Sequence, residues 1–90
     1  MKKMYSFLWD IRRMGEVRST FIADEDYLKS CIGKEVYFGE ILGKHSEIYG
    51  VLEEKDLTVL TDDQDFIEKA EKYGIDSIGH NPLRNLREDQ

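Results

Sequence analysis

Apolar and polar positions alternate with a period of two along much of this chain, and follow a helical spacing in two stretches. The run from Glu35 to Glu53, EVYFGEILGKHSEIYGVLE, reads as two strands joined at Gly43-Lys44-His45-Ser46. Its β-branched and aromatic residues, Val36, Tyr37, Phe38, Ile48 and Tyr49, suit a pleated, half-buried surface. Period two places Val36, Phe38 and Leu42 on one face, interrupted by Glu40, and Tyr37, Gly39 and Ile41 on the other. In the return strand Ile48, Gly50 and Leu52 alternate with Tyr49 and Val51. A solvated face would carry more charge than Tyr37, Ile41, Tyr49 and Val51 do. Either this face is an association surface, or the N-terminal segment covers it.

Upstream, Tyr5, Phe7, Trp9 and Ile11 alternate with Ser6, Leu8, Asp10 and Arg12, and Val17, Ser19, Phe21 and Ala23 with Arg18, Thr20 and Ile22. Two strands with a turn at Arg13-Met14-Gly15-Glu16 fit this pattern. A helix over residues 4–14 is the competing reading, since nothing there breaks one. Asp24 is placed to cap a short helix whose stripe is Tyr27, Leu28, Cys31 and Ile32, and Gly33 ends it. Leu57-Thr58-Val59-Leu60 reads as a third strand of a meander with the Glu35–Glu53 pair. Thr61 with Gln64 resembles a capping box, Asp62 being an alternative cap, for a helix running to about Tyr73. Its inner face is expected at Phe66, Ile67, Ala70 and Tyr73, and Gly74-Ile75 has the form of a Schellman stop. The sum is β-β-α-β-β-β-α: an α+β domain with an antiparallel sheet and both helices on one face, a single unit over residues 1–90 that frays from about Arg84.

Charge adds a bias. The net charge is −6, with five basic and two acidic residues in positions 1–20 and eight basic and seventeen acidic thereafter. Such a surface disfavours nucleic acid, whose phosphates require Lys and Arg, and suits a basic protein partner. A double-stranded-RNA-binding arrangement, also three strands and a helix, needs basic residues where this chain has Asp62-Asp63-Gln64-Asp65. One cysteine, Cys31, allows no disulfide within the chain and suits a reducing cytoplasm. The apolar run Met4–Trp9 is too short for a signal peptide, and no run approaches the length of a membrane span.

Chemistry is sparse. Lys44, His45, Ser46 and Glu47 gather a cation, an imidazole, a hydroxyl and a carboxylate at the turn of the hairpin, an alternative site for a small ligand or a minimal enzyme. Neither His45 nor His80 has metal-ligand spacing. From Asp63, an EF-hand pattern meets Glu68 where glycine is needed and Gly74 where glutamate is needed. The glycines form no phosphate-binding loop. No catalytic residue, cofactor or metal is expected.

The segments GEILGKHSEIYG and DDQDFIEKAEKYGI resemble stretches of small accessory proteins carried by phages and related mobile elements. The resemblance covers the second half of the chain and implies a protein that binds a host or defence component, often through an acidic surface. It assigns no catalytic residue. Together these readings point to a cytoplasmic module that binds a protein or a second copy of itself. Its anchors would be Tyr37, Ile41, Tyr49 and Val51, with selectivity from Glu53, Glu54, Asp56, Asp62, Asp63 and Asp65.

Overall fold

A computed structural model describes residues 1–87. Among these residues there are six strands and two α-helices in an α+β arrangement. β1 (Lys2–Asp10) and β2 (Glu16–Asp24) form a long hairpin in register from Lys2 opposite Asp24 to Asp10 opposite Glu16. The alternation of the sequence sets its sides. Tyr5, Phe7 and Trp9 share one face with Val17, Phe21 and Ala23, and nearly all of these are buried. After α1 (Glu25–Cys31) come β3 (Glu35–Gly39) and β4 (Ile48–Val51), then β5 (Leu57–Thr61), α2 (Gln64–Lys72) and β6 (Ser77–Gly79).

The hairpin, rather than the Glu35–Glu53 stretch, is the centre of the molecule. The main sheet runs β5-β1-β2-β6, all antiparallel, and β3-β4 is a separate two-stranded ribbon. β5 therefore joins β1, not β4, and the expected meander does not form. The reason lies in the turn before it. Glu53 and Asp56 close a capping box over residues 54–56, and the Asp56 carboxylate also accepts a hydrogen bond from Trp9 Nε1 at 2.8 Å. The turn is thus tied to the far end of β1, and the chain leaves it along β1's open edge. β6, absent from the sequence reading, is too short for alternation to register.

The ribbon lays Val36, Phe38 and Ile48 over the hairpin's apolar face. Phe7, Val17, Phe21, Val36, Leu52 and Cys31 are essentially sealed from solvent there. The Trp9 and Phe38 rings meet edge to face with centroids 5.6 Å apart. At Gly50 an added Cβ would stand 3.4 Å from the Trp9 ring, so this strand glycine marks close approach of a side chain.

The helices sit on opposite faces of the main sheet, against the expectation of one shared face. Lys2 pairs with Glu71 of α2 at 2.7 Å, whereas Lys3 pairs with Glu25 at the start of α1. Neighbouring strand residues point to opposite faces, so the two lysines reach the two helices from opposite sides. Met4, Ile67 and Ala70 accordingly form a small second core apart from the main cluster. A sheet covered on both sides by different partners cannot be told, from alternation alone, from one covered on a single side.

Helix ends also differ in detail. Asp63, not Thr61 or Asp62, caps α2, accepting from the amides of Asp65 and Phe66, while Thr61 Oγ1 accepts from Asp63 N. Asp24 holds the cap position of α1, but its carboxylate takes the N-terminal ammonium at 3.1 Å. The Schellman stop forms as expected: Ile75 N donates to Ala70 O, Gly74 N to Glu71 O, and Gly74 has φ +74°. Tyr27, Phe66 and Tyr73, expected to face inward, are exposed. Those helices bury only narrow stripes, Leu28 with Cys31 and Ile67 with Ala70.

The tail does not fray from Arg84. Tyr37 N donates to Asn85 O at 2.9 Å and Arg87 N to Glu35 O at 3.0 Å, so residues 85–87 run along the open edge of β3. Residues 88–90, also expected to fray, lie outside the described residues.

Candidate protein-interaction surface

Tyr37 and Tyr49 are cross-strand partners in the β3-β4 ladder, with rings stacked at a centroid separation of 6.4 Å and an interplanar angle of 27°. Val51 lies two residues further along β4 on the same face, opposite Glu35. Tyr49 is 61% exposed and Val51 51% exposed. Because the ribbon's other side is spent on the hairpin, this face points away from the core, and the N-terminal segment does not cover it. Arg87, which sequence pattern did not single out, lies over the Tyr37 ring at 4.5 Å and pairs with Glu35 at 2.5 Å. A hydrogen bond to the Glu47 carboxylate raises the Tyr37 phenol above its ordinary pKa, with partial desolvation and the Glu47 charge adding to it.

Ile41 does not belong to this set. A bulge between Tyr37 and Gly39 ends β3, with Gly39 at φ +78°, and residues 40–47 form the connection. Strict alternation is lost there, and Ile41 turns back to pack on the main core together with Leu42.

The polar tip does not converge. Lys44, His45 and Glu47 are exposed, His45 sits at φ +65° in the turn, and Glu47 is engaged by Tyr37. His80 instead packs edge-on against Phe38 with centroids 6.0 Å apart. Among the described residues no three His, Cys, Asp or Glu side chains converge as a metal site requires.

The acidic residues split by task. Asp56 holds Trp9 and closes the capping box, Asp63 caps α2, and Glu53 pairs with Lys55 at 3.2 Å. Glu54, Asp62 and Asp65 stand exposed on either side of β5 in the chain. β5 itself, Leu57-Thr58-Val59-Leu60-Thr61, contains no charge and forms an edge of the main sheet. Val59 is 51% exposed and Leu60 52% exposed. Beside it, between α1 and β5, lies a cavity of about 390 Å³ with an apolar lining from Tyr5, Leu28, Ile32, Leu57 and Val59. Glu25, Lys29 and Glu54 bring its charged groups. This groove depends on β5 lying beside β1, a pairing that alternation does not encode. The one available signal is an uncharged strand within an acidic stretch.

Among the described residues no helix is long and apolar enough to cross a membrane. Comparisons with protein-family models, with curated proteins and with solved structures each found no match.

Proposed function

We propose that this chain is an acidic, cytoplasmic protein-binding module that docks a cationic partner through Tyr37, Tyr49 and Val51. The observation that carries the reading is the sidedness of the β3-β4 ribbon. One face is buried on the hairpin, and the other presents two stacked tyrosines and a valine to solvent. Tyrosine offers a large rigid apolar body with a polar end, the combination enriched where proteins associate. The net charge of −6 favours a basic partner over a second copy, which would repel it.

Tyr49→Glu tests the reading, because Tyr49 is exposed and its replacement leaves the core intact. Proteins cross-linked to the wild-type chain in cells should be lost from the variant, while its thermal unfolding stays unchanged. Capture of the same proteins by both would overturn the assignment. Light scattering across a dilution series should give the monomer mass. A dimer that persists on dilution would mean that a second copy occupies the face.

A further inference from the structure

The tyrosine-bearing face leaves the groove beside β5 unexplained, and the two surfaces share no residue. An edge strand exposes a row of backbone N–H and C=O groups, and proteins ordinarily blunt such edges with charge, proline or a cover. β5 has neither lysine nor proline, and its apolar residues Val59 and Leu60 are half exposed. Its blunting among the described residues is local: a bulge opposite Met4 and Tyr5 displaces Leu60, leaving Leu57 to Val59 regular. Leu57 and Val59 line the cavity of about 390 Å³ between β5 and α1. An edge strand with an apolar groove alongside is the arrangement in which an added strand gains main-chain hydrogen bonds from the edge and seats alternate side chains in the groove.

The flanking charges decide between occupants. In a two-fold antiparallel pairing of β5 with itself centred on Val59, Asp56 would face Asp62 across the axis, partly offset by Lys55 opposite Asp63. Centred on Thr58, Glu54 would face Asp62. Like charges directly opposite one another destabilise a ladder, so a second copy fits poorly. A foreign strand with apolar residues in its middle and lysine or arginine beyond each end would meet Glu54 on one side and Asp62 and Asp65 on the other.

We propose that β5 and the adjoining groove bind an extended segment of a partner protein by strand addition. That segment carries alternating apolar residues flanked by basic ones. It lies antiparallel or parallel to Leu57–Val59 and drops one apolar side chain among Leu28, Ile32 and Leu57.

The probe is a displayed library of random peptides, each long enough to span the five residues of β5 and to extend beyond both ends. Selection against the whole chain should enrich peptides with lysine or arginine at the ends and β-branched or aromatic residues at alternate central positions. A selected peptide, made synthetically, should shift the amide resonances of Leu57–Thr61 and α1 and leave those of Tyr37 and Tyr49 in place. Methylating alternate backbone nitrogens of that peptide removes its hydrogen bonds without touching the protein, and should weaken binding about tenfold or more. Exchanging its basic ends for glutamate should weaken it to a similar degree at low salt. The proposal is overturned if selection enriches nothing, if the enriched peptides are acidic, or if every form of the methylated peptide binds as well as its parent. It is equally overturned if the shifts fall on Tyr37 and Tyr49, or if the β5 amides shift with protein concentration alone, which would assign the edge to a second copy. None of these outcomes depends on the fate of Tyr49→Glu.

Discussion

The bond from Trp9 Nε1 to Asp56 joins the end of β1 to the turn that launches β5, and it is the most informative contact to break. Its length is 2.8 Å and its acceptor is a carboxylate that also receives Glu53 N at 3.0 Å. Hydrogen bonds to charged groups contribute about 1.5–3 kcal/mol. Both partners here are only half-buried, so water can replace either, and a coupling of about 1–2 kcal/mol is expected. Single substitutions would overstate it. Trp9→Phe also withdraws ring surface from Gly50 and Phe38, and Asp56→Ala also opens the capping box. The cycle of Trp9→Phe, Asp56→Ala and the double variant isolates the bond. Urea unfolding followed by circular dichroism gives the four stabilities, since the chain's single tryptophan is itself changed. At about 4–8 °C per kcal/mol for a domain of this size, the coupling also appears in thermal unfolding. The indole N–H resonance offers a second readout: it should exchange slowly in the wild type and quickly in Asp56→Ala. Effects that add to within about 0.5 kcal/mol, with a fast-exchanging indole in the wild type, would refute the claim that this bond steers β5.

Two further outcomes follow from the same structure. Gly74→Ala and Gly79→Ala both force alanine into positive φ, but an added Cβ meets nothing at Gly74 and comes within 2.5 Å of Arg18 O at Gly79. Gly74→Ala should cost about 1–2 kcal/mol, and Gly79→Ala measurably more, with loss of amide protection on the β6 side of β2; equal costs would deny the close approach. The hydrogen bond from Lys3 lowers the pKa of Glu25, and the same bond raises that of Lys3. A depressed carboxylate stabilises the fold above its unfolded pKa, and that stabilisation is lost as pH falls through the folded value. Lys3→Gln should therefore be less stable than wild type near neutrality, and the gap should close in acid. A gap that is constant with pH in urea titrations would contradict the pairing.

How much of this was legible in the sequence can be argued residue by residue. The β1-β2 hairpin was, because Tyr5, Phe7, Trp9, Val17, Phe21 and Ala23 fall on one face at a period of two and the strands are neighbours in the chain. The end of α2 was, because Gly74 carries its own conformational signal. The sidedness that leaves Tyr37, Tyr49 and Val51 together was legible from period two, and it failed at Ile41 because a bulge shifts the count. Partner choice between strands was not. The Leu57–Thr61 pattern is the same whether it lies beside β4 or β1, and the Trp9–Asp56 bond and the capping box tie the turn before it to β1. The groove between α1 and β5 inherits that illegibility. Its lining comes from Tyr5, Leu28 and Val59, which meet only once distant strands have paired.

Both outer strands of the main sheet, β5 and β6, come from the chain after the 40–47 connection, and both inner strands come from before it. The later half clasps the earlier one from either side. A cut at the exposed His45 turn would leave two fragments, one keeping β1, β2, α1 and β3 and the other β4, β5, α2 and β6. Neither could complete the sheet without the other, so their reassembly would be all-or-none. The turn is thus the natural seam for a split reporter, since opening it leaves the edge at Val59 in place.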